Sequence, residues 1–190
     1  NEKAIKDLQS FSKDEQSRLR KIYQNFNISG AEKVKEIEAN TNHDVKAIEY
    51  YIQSKVKKSL HPWIHFALTS EDVNNLSYSL MWQDGLKQVY LPTLLSVNKE
   101  LKKLARKYKD SSMLALTHGQ PATSTTFGKE LAVFCARLDR QISQMKSQKL
   151  LGKLGGATGT WSAHMVAFPK VNWTQFASRF IKSLGLVPNL

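Results

Sequence analysis

An all-α fold is predicted for this chain by three observations. Apolar residues recur at helical spacing along most of its length, capping signals stand ahead of those stripes, and strict apolar/polar alternation is almost absent. The predicted organisation is a small N-terminal helical domain over residues 1–60, followed over 61–190 by the first long helices of a bundle.

Ser12-Lys13-Asp14-Glu15 reads as a capping box, and Leu19, Ile22 and Phe26 then mark one helical face before Asn27 and Gly30 end it. Thr41-Asn42-His43-Asp44 repeats the start signal ahead of a stripe of Val45, Ile48, Ile52 and Val56. Two short helices are thus expected in the first sixty residues. Lys57 to Pro62 is a polar break, and the domain boundary is placed there.

Thr69-Ser70-Glu71-Asp72 forms a third box, opening a long helix through Val73, Leu76 and Leu80 towards Tyr90. Pro92 has no amide hydrogen and is expected to kink or interrupt that helix. Leu94, Val97, Leu101, Leu104 and Tyr108 then keep the three-four spacing of a helix packed nearly parallel to others. From Asp110 to Thr126 the periodicity fails, and an ordered loop is expected. It returns at Phe127, Leu131, Phe134, Leu138, Ile142 and Met145 as a second long helix. A glycine-rich loop follows at Gly152, Gly155, Gly156 and Gly159, and a last helix runs from Trp173 to Leu184, ended by Gly185.

The 190 residues include 28 Lys or Arg against 16 Asp or Glu, for a net charge of +12. Lys99, Lys102, Lys103, Arg106, Lys107 and Lys109 form the densest basic cluster, but they alternate with Leu101, Leu104 and Ala105 as a solvated helix face does. No zinc-finger, RNP or basic-zipper pattern accompanies the charge, so a nucleic-acid partner is not expected. No apolar run approaches the roughly 20 residues of a bilayer span, and Asn1 to Asp7 lacks the apolar stretch of a secretory signal. A single cysteine, Cys135, excludes an internal disulfide and a cysteine-based zinc site. A cytoplasmic protein with no membrane partner is expected.

Most catalytic patterns fail on spacing. The glycines match neither G-x-G-x-x-G nor a P-loop, there is no H-E-x-x-H and no G-x-S-x-G, and Pro62 between His61 and His65 argues against a metal pair. Cys135, beside an apolar stripe, reads as a buried thiol. His43 precedes one helix start and Thr69-Ser70 form another, where unpaired amides and the helix dipole attract phosphate or carboxylate; equally, Thr41 and Thr69 would serve as simple caps. His118 lies on a turn constrained by Gly119 and Pro121, which suits either a general acid or base or a histidine bonding a carbonyl.

Four segments carry a resemblance: Thr41 to Tyr50 (TNHDVKAIEY), His65 to Asn75 (HFALTSEDVNN), Thr117 to Glu130 (THGQPATSTTFGKE) and Gly152 to Gly159 (GKLGGATG). Together they closely resemble the adenylosuccinate lyase family of the fumarase/aspartase superfamily, from about Phe11 onward. The resemblance implies a helical-bundle homotetramer with active sites shared between subunits. The implied reaction is a β-elimination without metal or cofactor, releasing fumarate from adenylosuccinate to give AMP, and likewise from the succinyl-carboxamide ribotide of purine biosynthesis. His118 then matches the general acid. Thr69 and Ser70 match residues that hold the substrate's anionic groups, His43 and Asp44 match a substrate-contacting pair, and His65 matches a histidine near the phosphate. Thr117 and Gln120 are expected to line the site.

Two departures accompany the likeness. The family's serine loop, Ser-Ser-x-Met-Pro-x-Lys-x-Asn, which supplies the general base, has no counterpart here, and neither does its N-terminal Arg-Tyr contact. The chain therefore resembles part of a longer enzyme and is expected to be inactive alone. Argininosuccinate lyase is a rival within the superfamily, although Lys129-Glu130 and the Thr-Asn-His-Asp-Val motif fit it less well. A non-enzymatic helical module for acidic partners is the rival outside it.

Overall fold

In a computed structural model, residues 11–189 are described. The described residues pack as two compact units, one formed by residues 11–80 with 151–189, the other by Met81–Leu150.

In the first unit the predicted capping box forms. The Ser12 hydroxyl accepts from the Glu15 amide at 3.1 Å and the Glu15 carboxylate accepts from the Ser12 amide at 3.0 Å, opening α1, Lys13–Gln24. The expected end at Asn27 and Gly30 is corrected: Asn27 caps a further helix, α2, Ile28–Thr41, its side chain accepting from the Gly30 amide at 3.0 Å. Glycine suits that first turn because an added Cβ would lie 2.9 Å from the Tyr51 hydroxyl. Asn42, left-handed at φ 50°, ends α2, and α3 follows as Asp44–Gln53. Among the described residues three helices therefore stand where two were expected. A 3₁₀ segment, Lys58–Trp63, occupies the predicted polar break.

Helix α4 spans Ser70–Gly85. It continues through a π-helical turn, Leu86–Tyr90, into α5, Leu91–Lys107, and Gly85, Tyr90 and Leu91 all keep right-handed helical dihedrals. The α-helical pattern is thus interrupted just ahead of Pro92, where a kink or interruption was expected, by a π-turn rather than by a break in the helix. The wider turn makes room for the ring, and the Thr93 hydroxyl donates to the Val89 carbonyl at 2.8 Å where backbone bonding is disturbed.

In the second unit α5 packs on α6, Phe127–Ser147. Buried Asn98 donates to Asp139 at 2.7 Å, and Lys102 pairs with the same carboxylate at 2.7 Å. Between these helices, the loop expected at 110–126 is an antiparallel hairpin, β1 Ser112–Thr117 and β2 Gln120–Thr126. Its two-residue turn is His118-Gly119, with φ of 52° and 75°, the double positive φ that matches a hairpin's twist. Pro121 is tolerated because a two-stranded ribbon consists only of edge strands.

The rest of the first unit holds β3, Leu151–Gly152, pairing in parallel with β4, Val187–Pro188. A Cβ on Gly152 would lie 2.6 Å from Leu76, so only glycine lets this strand approach α4. After the glycine-rich loop come α7, Ser162–Ala167, a short helix the periodicity does not announce, and α8, Trp173–Ser183, with Gly185 at φ 79° beyond it as expected. Val171 and Trp173 form a buried core with Trp63, Phe66, Trp161, Phe168 and Phe176 packed against it. Apart from two short strand pairs the structure is helical, as predicted.

Candidate functional site

For the segment Thr41 to Asp44, capping through Thr41 and a role in holding anions are equally open from the sequence. The cap is His43, whose Nδ1 accepts from the Lys46 amide at 3.3 Å, while Thr41 closes α2. An imidazole that accepts at Nδ1 carries its neutral-form proton on Nε2. That nitrogen lies 3.1 Å from the Ser70 hydroxyl at the start of α4. In this tautomer His43 donates to Ser70 Oγ, leaving the hydroxyl proton of Ser70 to donate elsewhere. Asp44 Oδ1 accepts from the Val45 amide at 2.7 Å and sits 3.3 Å from His43 Nδ1.

Thr69 precedes α4 and contributes its amide rather than a side-chain cap: the amide donates to Asp72 Oδ2 at 3.0 Å. Four residues earlier, His65 is half-buried and left-handed at φ 66°, and Ala67 follows at φ 54°. Backbone held in that region is costly for residues with a Cβ.

Thr117, His118 and Gln120 lie together in the second unit, all exposed. Thr117 and Gln120 face each other as the last hairpin pair, and His118 is the first residue of the turn between them. A hairpin tip presents the imidazole outward on a backbone fixed from both sides. His61 lies apart from this chemistry, its Nε2 2.9 Å from the Gln53 carbonyl.

Sequence reasoning missed the buried half of the first unit's site. Asp72, which the sequence shows only as the last residue of a capping box, is 1% exposed. It accepts from the amides of Thr69, Gly155 and Gly156 at 3.0, 3.0 and 2.9 Å and from Lys153 Nζ at 3.1 Å. Burial pushes this carboxyl up, but the donors outweigh it and hold it below the ordinary carboxylate value. One turn on, Asn75 clamps the Lys153 backbone, accepting from its amide at 2.8 Å and donating to its carbonyl at 3.1 Å. The legible signal was the pairing of a helix-start acid with a downstream run of glycines, which free amides for a buried carboxylate.

His164 was also passed over. It is 2% exposed on α7, 4.8 Å from the Trp173 ring, and its Nδ1 has no hydrogen-bond partner. Burial lowers its pKa, and the attraction of Asp72 offsets only part of that. Among the described residues no group of three or more His, Cys, Asp or Glu could hold a metal ion, and no helix is long and apolar enough to cross a membrane.

Comparison with known proteins places this geometry in context. A family model described as "Lyase" matches residues 1–189. An adenylosuccinate lyase of Legionella pneumophila (strain Philadelphia 1) is 47% identical over 173 residues, which is 88% of this chain and 38% of that protein. That of Escherichia coli (strain K12) is 44% identical over 188 residues, 96% of this chain and 41% of that protein. The chain thus spans about two fifths of the length of these relatives. A solved fumarate lyase from Mesorhizobium sp. BNC1 matches with a TM-score of 0.79 at 21% identity, over 98% of this chain and 43% of that one. A likeness at that identity shows a shared helical fold. With a family match across nearly its whole length, the chain belongs to the lyase family.

Proposed function

We propose that the protein containing this chain is an adenylosuccinate lyase, releasing fumarate from adenylosuccinate to give AMP and from the succinyl-carboxamide ribotide in purine biosynthesis. The observation that carries the reading is the pairing of His43 with Ser70 at a helix start, within motifs of a chain 44% identical to the E. coli enzyme over 188 residues.

In this β-elimination a base takes a proton from the carbon next to the one bearing the nitrogen. The C–H electrons form the new double bond, the C–N bond breaks, and its electron pair leaves on nitrogen, which an acid protonates. His118 is proposed as that acid. Thr69 and Ser70 hold the substrate's anionic groups, with the α4 dipole adding to their attraction. His43 orients the Ser70 hydroxyl, Asp44 beside it contacts the substrate, and His65 in the first unit and Thr117 and Gln120 in the second are each proposed as substrate-contacting residues. No residue here is assigned as the base, and residues 1–190 alone are proposed to be inactive. Neither a cofactor nor a metal enters the scheme.

Residues 1–60 are proposed as part of an N-terminal domain and 61–190 as the N-terminal part of the central bundle. A cytoplasmic homotetramer is proposed, and exposed Tyr90, Leu95, Val97, Leu104 and Phe134 support association in which such faces meet partner helices. Fumarate release from adenylosuccinate by the complete protein, followed by ultraviolet absorbance, tests the proposal; a pure, folded preparation without that activity overturns it.

A further inference from the structure

We infer that Asp72 is a positioning residue, fastening the start of α4 to the glycine-rich loop and thereby fixing Thr69 and Ser70 towards the anionic substrate. The inference rests on the proposed function for the identity of that substrate. Four donors from separate stretches of chain converge on one carboxylate: Thr69, Lys153, Gly155 and Gly156. All of them lie in the first compact unit.

Two consequences follow from this geometry. The amides of Gly155 and Gly156 are spent on Asp72, so the glycine-rich loop acts here as a brace, and these two amides do not cradle phosphate. A side chain at Gly155 would meet the Gly159 backbone at 3.1 Å, and Gly156 has φ +78°, so the brace depends on glycine at both places. A capping acid ordinarily sits in solvent, where it costs little. Burying the charge is costly unless partners offset the lost hydration, so helix capping alone does not account for a carboxylate at 1% exposure. Geometric specificity does: Thr69 is held through its own amide, and Ser70, the next residue, is set against His43 at 3.1 Å.

The test is a double-mutant cycle in the complete protein, with steady-state kinetics on adenylosuccinate. Asp72→Asn is expected to raise KM at least tenfold while kcat changes less than threefold. Combined with Ser70→Ala, it should leave KM within about twofold of the larger single effect, because both changes remove the same contact. Multiplicative KM effects overturn the inference and make Asp72 a fold anchor only. Should Asp72→Asn not fold, Lys153→Met in the same cycle is read by the same criterion. Should the unaltered protein release no fumarate, the proposed function fails by itself. The fastening is then judged by amide hydrogen exchange: a joint rise at Thr69 and Gly155–Gly156 in Asp72→Asn supports it, and a rise at one end only overturns it.

Discussion

The Ser70 hydroxyl lies 3.1 Å from Nε2 of His43, a residue 27 positions earlier in the chain. Because His43 Nδ1 is occupied by the Lys46 amide, the contact gives Ser70 one defined donor direction. His43→Ala and Ser70→Ala should each raise KM for adenylosuccinate by about tenfold, the worth of one hydrogen bond to a charged group. The double variant should be no worse than the poorer single one. Independent, multiplying effects in titrations of rate against substrate would show that the two side chains do not act as a pair.

His118, exposed at the hairpin tip, is the proposed acid. His118→Ala in the complete protein should lower kcat by about 10²–10⁴ with substrate binding retained, the range for a positioned acid or base. A variant with near-normal turnover would return His118 to a purely structural role.

Acid should weaken the first unit through His164. Its folded pKa lies below the ordinary value, so the unfolded chain takes up the proton first and stability falls as pH drops through about 6.5. Asp72, whose folded pKa is also lowered, contributes stability above about pH 4 and loses it only as pH falls further. Between pH 7.5 and 5.5, therefore, His164→Phe should lose less Tm than the unaltered protein, by roughly 2–4 °C for each kcal/mol involved. Identical slopes in thermal melts would contradict this assignment.

Two helix glycines should respond in opposite directions. A Cβ at Gly128 would lie 2.3 Å from the Ala105 carbonyl and 2.6 Å from the Lys109 backbone, so Gly128→Ala should cost about 1–3 kcal/mol or more by overpacking. Gly85 has helical dihedrals and nothing within 4 Å of an added Cβ, so Gly85→Ala should stabilise by about 0.5–1 kcal/mol. Denaturant midpoints for both variants check the pair, and a shift in the same direction for both would be the contrary outcome.

The legible parts of this chain were those written in local chemistry. Ser12 and Glu15 stand three residues apart and need nothing distant to close their box. The stripes through Leu94 to Tyr108 and Phe127 to Met145 announce α5 and α6 because a helix repeats its own face. Helix α2 was missed because Asn27 and Gly30, the residues that usually stop a helix, here open one. The hairpin was missed because polar β2 shows no apolar alternation, and its turn uses His118 where asparagine is the common signal.

By itself the sequence determined the helical class, the order of the long helices and the residue types suited to binding anions, since periodicity, caps and side-chain chemistry act within a few residues. Only the tertiary structure decided that His43 rather than Thr41 caps α3, that Ser70 meets His43, and that Asp72 turns inward to Gly155 and Gly156. Asp72 and Gly156 are 84 residues apart, and nothing in the spacing of a capping box says whether its acid faces water or a distant loop. A buried carboxylate is stable only where folded backbone brings it donors, so its place belongs to the assembled chain.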